Sequence, residues 1–181
     1  MCIRDRYEDL QGLRIRTYDK NGTEVLKKGG ANAVVMSWGD VYPALATKTI
    51  DSVLTSSQSA VAGKFWEVLS DTTRVNFAIP LNMININLDS FNALTPEHQA
   101  VFVKIGKEME LRQWQIAEEA MVKDEKTCAD NGMTITTEVS DELAAKLKAS
   151  GQDVINDWLK KTGKVGKEVL ATFEKESKKL K

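Results

Sequence analysis

The chain has 181 residues, of which 42% are apolar and 28% are charged, a composition typical of one globular domain or of part of a larger protein. Its 25 Lys and Arg residues nearly balance 26 Asp and Glu residues, so no overall positive field draws it to nucleic acid or to an anionic membrane. Its longest apolar runs are far shorter than the roughly 18 residues needed to span a bilayer, so we expect no insertion into a membrane.

Cysteine and histidine are too few for a structural zinc site. The two cysteines, Cys2 and Cys128, lie far apart without a Cys-x-x-Cys pair, and His98 is the single histidine. We therefore expect no metal centre built on these residue types.

The first six residues, Met1 to Arg6, show no capping, turn or periodic pattern, and patterned sequence begins near Tyr7. This hexapeptide resembles translated sequencing adapter, which predicts that it is an artefact and that Met1 is not the biological start. A frayed, disordered terminus is the alternative.

Short elements of alternating type fill the region from Leu13 to Ala78. Strand-like runs are followed by turn residues, and Ser37 with Asp40 forms a helix-capping pattern. Predicted strands cover 13–18, 33–36, 50–55 and 72–78, and predicted helices cover 23–28, 38–46 and 56–69. Strand, helix and strand at this spacing predict parallel βαβ units in an α/β fold.

Beyond Pro80 the pattern lengthens. Alternation over 83–88 predicts another strand, and Thr95 before Pro96 predicts the start of a helix. That helix can run to the stop at Asn131–Gly132, which gives about 35 residues and a length of roughly 50 Å.

A free coiled coil is one interpretation of this helix, but Arg112 and Gln113 break the heptad pattern. Packing along a two-lobed body explains the length better. After the helix, 132–136 predicts a strand. A helix capped by Ser140 then runs through Leu159, and a break at 163–166 precedes a last Lys- and Glu-rich helix.

Several segments carry a family resemblance. They are Asp9–Arg16, Gly30–Ala31, Met36, Asp40–Tyr42, Ala44–Leu45 and Asp51, and further on Lys64–Val68, Asn76 and Leu94–Gln99. In this order and nearly this spacing, the chain resembles the solute-binding proteins of tripartite ATP-independent periplasmic (TRAP) transporters. The resemblance covers 7–171, most of the chain.

The resemblance implies a periplasmic-binding-protein-like α/β fold, in which two lobes hold the ligand in the cleft between them. It also implies that the chain is a C-terminal fragment without the signal peptide and most of the first lobe. We expect residues 1–6 to be an artefact or disordered, and 7–79 to form the second α/β lobe. Residues 80–95 are expected to be a crossover segment that contributes to the first lobe, and 96–131 a long helix that spans the lobes. The C-terminal helices, 132–181, are expected to pack on the second lobe.

Arg16 is the strongest candidate for ligand binding. It lies at the carboxyl end of a predicted parallel strand, where open α/β sheets bind ligands, and its planar guanidinium matches a carboxylate. Position and residue type alone leave open a solvated strand-end arginine. The resemblance implies that Arg16 pairs with a ligand carboxylate, whereas no family role carries over to Arg14, which we expect at the surface.

Trp38 begins a predicted helix, where the family commonly has phenylalanine near the ligand. Its indole can stack on an apolar or aromatic part of the solute, and filling the core of the lobe is an equal alternative. We expect Asp40 to cap the helix rather than to bind ligand. Tyr42, one turn further on, either packs or lines the cleft.

Thr55 stands where many family members carry an asparagine that touches the ligand. A hydroxyl in place of the amide removes a donor and shortens the reach, which argues against a sugar acid. Phe77, beside Asn76 where the family often has histidine, adds a second aromatic candidate. Arg16, Trp38, Thr55 and Phe77 together predict a monocarboxylate ligand with an apolar or aromatic body.

The sequence carries no catalytic constellation. Neither a Gly-x-Gly-x-x-Gly turn nor a Gly-x-Ser-x-Gly elbow is present, so we expect no enzyme, no catalytic residues and no cofactor. The resemblance implies a periplasmic protein that captures a small organic acid through the Arg16–carboxylate pair and delivers it to membrane permease subunits. An α/β metabolic enzyme fragment and a helical interaction protein are the alternatives, although the latter leaves the βαβ half unexplained.

Overall fold

A computed structural model describes residues 6–80 and 82–180, so most of the predicted artefact at 1–6 lies outside the described residues. The strands are β1 (Arg14–Thr17), β2 (Asn32–Val35), β3 (Ser52–Val53), β4 (Asp71–Thr73) and β5 (Thr134–Thr136). The α-helices are α1 (Lys20–Lys28), α2 (Trp38–Ala46), α3 (Ser57–Ala62), α4 (Leu88–Asn92), α5 (Pro96–Asp130) and α6 (Asp141–Ser177). Short 3-10 turns occupy Glu8–Leu10, Phe65–Glu67 and Lys178–Leu180.

The first three strands form a parallel sheet in the order β2-β1-β3, which confirms the predicted βαβ arrangement. In register, Arg16 of β1 lies beside Val34 of β2 and Val53 of β3. Successive side chains of a strand point to opposite faces, so Arg16 and Ile15 lie on different faces of this sheet.

Each face of the sheet has its own buried cluster. The Ile15 cluster, on the side of α1 and the start of α6, consists of Leu10, Leu13, Ile15, Leu26, Ala31, Ala33 and Leu143. The Phe65 cluster consists of Val41, Ala44, Leu45, Ile50, Ala60, Phe65, Cys128 and Met133, with Met36 and Val53 packed against it. Because Val53 shares the face of Arg16, the arginine lies on the side of the Phe65 cluster.

A second, two-stranded sheet pairs β4 with β5 in parallel, with Asp71 beside Thr134. Both strands are shorter than the predicted 72–78 and 132–136. β4 ends at Thr73, and three residues later Asn76 has a φ of 50°, a left-handed conformation that an extended strand does not contain.

The two long helices agree with the sequence pattern. α5 has 35 residues; Thr95 caps its start by accepting a hydrogen bond from the His98 N–H, and Gly132 follows its end with a φ of 92°. Ser140 caps α6, and Gly163 has non-helical angles, φ 59° and ψ −127°, inside it. The predicted break is therefore confirmed. Among the described helices, none is sufficiently long and apolar to span a bilayer.

Two predicted elements are wrong. The strand at 83–88 does not form, because no described strand pairs with it, and Asn87 instead caps α4 by accepting from the Ser90 N–H. The helix predicted over 56–69 ends at Ala62, because Gly63 closes it and Lys64 takes a left-handed φ of 48°. The division into two lobes, a crossover segment, a spanning helix and C-terminal helices stays a prediction.

Candidate functional site

The site is built on Arg16, which lies near the carboxyl end of β1 and is only 5% exposed. Its Nε donates a hydrogen bond to the carbonyl oxygen of Met36, at 2.9 Å. Within residues 6–80 and 82–180, no carboxylate forms an ion pair with Arg16. Burial lowers the pKa of Arg16, as expected for a cation removed from water without an anionic partner.

The two terminal amino groups of Arg16, Nη1 and Nη2, have no hydrogen-bond partner in the described part of the chain. Among the described residues, every fully buried side-chain nitrogen or oxygen has a hydrogen-bond partner. Since Nη1 and Nη2 have none, neither is fully buried, and both keep some contact with solvent. A guanidinium whose Nε–H donates to the backbone, and whose two terminal amino groups have no protein partner, can bind an anion through those amino groups.

Trp38, the first residue of α2, lies against Arg16. The Cζ atom of Arg16 lies over the indole, 5.9 Å from the ring centroid, a distance at which a cation is attracted to an aromatic face. The indole also contacts the Phe65 ring, with centroids 5.6 Å apart at an interplanar angle of 41°. Trp38 is 45% exposed and also packs on a core residue, so part of its side chain belongs to the core and part stays open; its stacking on a ligand stays a prediction.

Thr55 follows Leu54, whose N–H donates to the carbonyl oxygen of Arg16 at 2.8 Å. Alternation from Val53 places the half-buried Thr55 on the same side of the chain as Arg16. Thr55 therefore follows the strand beside the arginine, and the hydrogen bond of the Arg16 side chain goes to Met36 rather than to Thr55.

Phe77 lies elsewhere. It packs against the Ile15 cluster, on the face of the sheet opposite to Arg16. There it lines a groove of about 570 Å³ between α1 and α6, together with Val25, Leu147 and Trp158. The structure thus brings Arg16 and Trp38 together and does not bring Phe77 to them.

Two neighbouring polar residues, Arg14 and Tyr42, have side-chain partners, and a third, Asp40, lies at a helix start. Arg14 forms an exposed ion pair with Asp51, from Nη2 to Oδ1 at 2.6 Å, so the expectation of a surface residue is confirmed. The Tyr42 hydroxyl donates to Oε2 of Glu67 at 2.5 Å, and this hydrogen bond raises the pKa of Tyr42. Asp40 is exposed in the first turn of α2, where a carboxylate favours the helix dipole.

Phe65 and the carbonyl group of Met36 are the parts of the site that sequence reasoning did not assign. Phe65 was visible as an apolar residue of the helix predicted over 56–69 and as part of the Lys64–Val68 segment of the resemblance, and neither assigned it a role. A backbone carbonyl leaves no trace in the residue type. Among the described residues, no three His, Cys, Asp or Glu side chains group in a way that could hold a metal ion.

Comparison with known proteins gives a consistent picture. A family model described as "Bacterial extracellular solute-binding protein, family 7" matches residues 5–162. The 2,3-diketo-L-gulonate-binding periplasmic protein YiaO of Escherichia coli is 29% identical over 132 residues, which are 72% of this chain and 40% of that protein.

Solved structures are similar in fold. DctP6 of Bordetella pertussis, an extracytoplasmic solute receptor binding pyroglutamic acid, is 25% identical with a TM-score of 0.83, over 95% of this chain and 57% of that one. The periplasmic ectoine-binding protein of the TeaABC TRAP transporter of Halomonas elongata is 22% identical with a TM-score of 0.74, over the same 95% and 57%. These likenesses confirm the predicted periplasmic-binding-protein-like α/β fold. The chain spans only part of the length of the proteins it matches.

Proposed function

The chain belongs to family 7 of the bacterial extracellular solute-binding proteins, and from this premise we propose that it serves as the solute-capturing component of a TRAP-type transporter. In this role it binds a small organic acid in the periplasm and delivers it to membrane permease subunits. The family consists of solute-binding proteins rather than enzymes, so no catalytic residue or cofactor enters the proposal.

Arg16 is the observation on which the proposal rests. A buried guanidinium without an anionic partner is costly, and a ligand carboxylate supplies the missing charge. The arginine lies near the carboxyl end of a parallel strand, the edge at which open α/β sheets bind ligands. Arg14, two residues away on the same strand, already has a carboxylate partner in Asp51 and does not need one from a ligand.

The hydrogen bond from Nε to Met36 selects the geometry of binding. A carboxylate can approach a guanidinium along the Nε–Nη2 edge or along the Nη1–Nη2 end. Because the Nε–H already donates to the Met36 carbonyl oxygen, the end remains available. We propose that the carboxylate accepts two hydrogen bonds, one from each terminal amino group.

The body of the solute lies against Trp38 and Thr55 in this proposal. The indole offers an apolar face beside the charge, and the Thr55 hydroxyl can donate or accept one hydrogen bond. Pyroglutamic acid, which DctP6 binds, has one carboxylate and a compact ring, and so fits such a site. Phe77 was predicted to join them, but its packing on the Ile15 cluster gives that assignment less support.

Nuclear magnetic resonance (NMR) titration with pyroglutamate tests the proposal, with 2-pyrrolidinone as the matched ligand that keeps the ring and lacks the carboxylate. We expect pyroglutamate to shift the Arg16 guanidinium resonances and 2-pyrrolidinone to leave them unchanged. Losing one partner of a buried pair costs about 3 to 5 kcal/mol, so Arg16→Ala should weaken binding more than about a hundredfold. Arg16→Lys should weaken it more than about tenfold, because the planar pair of donors is lost.

Arg14→Ala is the control variant, because it removes a guanidinium from the same strand without touching Arg16. It should bind pyroglutamate as wild type does. A panel that includes 2,3-diketo-L-gulonate covers the other acid that a relative binds. Should Arg16→Ala bind the best acid of the panel as tightly as wild type, Arg16 is not the carboxylate-binding residue.

A further inference from the structure

The indole of Trp38 contacts both Arg16 and Phe65. We infer that Phe65 is a positioning residue, which holds the Trp38 ring over Arg16 and thereby fixes the plane of the guanidinium. The inference rests on the proposed role of Arg16 and adds a residue that does not itself contact the solute. It predicts that a change in the core reaches the binding arginine through one aromatic contact.

Phe65 is held firmly. Its side chain is 1% exposed, within the cluster named after it. It lies in a 3-10 turn that follows Lys64, whose left-handed φ of 48° turns the chain back at the end of α3. A Cβ at Gly63 would lie 2.5 Å from Cε1 of Phe65, so the absence of a side chain at Gly63 makes room for the ring. The phenyl ring is thus a fixed surface.

Trp38 lies at an exposed end of its helix. It is the first residue of α2, and the Ser37 side chain makes no capping hydrogen bond to this end of the helix. Gly39, which follows Trp38, has no neighbouring atom within 4 Å of an added Cβ. The side chain is 45% exposed, and its ring contact with the buried Phe65 is the contact that we infer to set the position of the indole.

Arg16 in turn has two restraints of different kinds. The hydrogen bond to the Met36 carbonyl oxygen fixes where Nε points. The indole, on which the guanidinium lies, limits rotation of the plane that carries Nη1 and Nη2. Replacing Phe65 by a residue without a ring frees the indole, and the guanidinium then loses the second restraint while the first remains.

NMR of arginine side chains in the ligand-free chain tests this directly. The Arg16 Nε–H resonance, identified by its absence in Arg16→Lys, should lie upfield in wild type because of the indole ring current. Phe65→Leu should remove most of this upfield shift, and Trp38→Leu should remove all of it. The double variant should match Trp38→Leu, because Phe65 acts only through the indole. Met133→Leu, at a 4% exposed residue of the same cluster, is the control and should keep the shift.

Retention of the wild-type Arg16 shift in Phe65→Leu would overturn the inference, as would an equal loss in Met133→Leu, which would indicate general loosening of the core. Exchange of the Nε–H with solvent provides a second measurement. This exchange should stay slow in Phe65→Leu, because the hydrogen bond from Nε to Met36 is intact. If the Nε–H of Phe65→Leu exchanged as fast as in the unfolded chain, the inference would also be refuted. Since no ligand is present, failure here is distinct from failure to bind pyroglutamate.

Discussion

The break inside α6 gives a pair of identical substitutions that should change stability in opposite directions. Gly163 has φ 59° and ψ −127°, angles that residues with a Cβ avoid, and Gly151 lies in a regular part of the same helix. Neither glycine has an atom within 4 Å of an added Cβ, so no clash contributes to either change. Backbone strain should make Gly163→Ala lower the free energy of unfolding by about 1 to 3 kcal/mol. Gly151→Ala should raise it by about 0.5 to 1 kcal/mol, because alanine loses less entropy in a helix.

Urea denaturation followed by circular dichroism measures both changes under one set of conditions. Each variant adds one methyl group to the same helix, so a general effect of replacing glycine by alanine is common to both and cancels when the two are compared. If Gly163→Ala stabilised the chain as much as Gly151→Ala, α6 would be a continuous helix that alanine can occupy throughout, and the break at Gly163 would be refuted.

The Cys128 thiol should react with a thiol reagent only as the chain unfolds, since it is 2% exposed and burial raises its pKa. A Cys2→Ser variant leaves Cys128 as the single cysteine, and rapid reaction of its folded form would contradict this prediction. In the unfolded chain the Cys128 thiol has its ordinary pKa of 9.0, whereas burial raises the pKa in the folded chain. The free energy of unfolding should therefore fall as the pH rises above 9.0, and it should fall less in Cys128→Ala. Thr95→Ala should cost about 1 kcal/mol in urea denaturation by removing the acceptor for the His98 N–H, and an unchanged midpoint would show that this cap does not contribute. The apolar residues exposed between 79 and 122 should bind an apolar dye and promote association at high concentration, and a monomer that leaves dye fluorescence unchanged would argue otherwise.

Local chemistry made much of the fold predictable. Turn and capping residues set the ends of several elements, as Thr95 does for α5 through its hydrogen bond from the His98 N–H. Asp19 caps α1, which begins at Lys20, three residues before its predicted start at residue 23. Long-range pairing was not predictable from pattern. The alternation at 83–88 is typical of a strand, but a strand needs a neighbour for its hydrogen bonds, and within the described residues Ile84 is 96% exposed without one.

The candidate site also has a part that the sequence predicts and a part that it does not. The position of Arg16 follows from its place near the carboxyl end of a predicted strand. The start of α2 at Trp38 agrees with the helix predicted over 38–46, although the Ser37 side chain makes no capping hydrogen bond. The placement of Phe77 could not be predicted, because Asn76 takes a left-handed φ of 50° just before it. One backbone angle of this kind changes the direction of every later side chain in the segment, and residue type gives little warning of it.

The acceptor for Arg16 is a main-chain oxygen, and this has a consequence for how binding specificity can diverge. Substitution at residue 36 replaces a side chain but keeps the carbonyl group that holds Nε. The guanidinium can therefore stay in place while substitutions change the side chains around it. In the binding mode that we propose, recognition of the acid group would depend on the backbone, whereas recognition of the remaining solute would depend on side chains that can change between lineages.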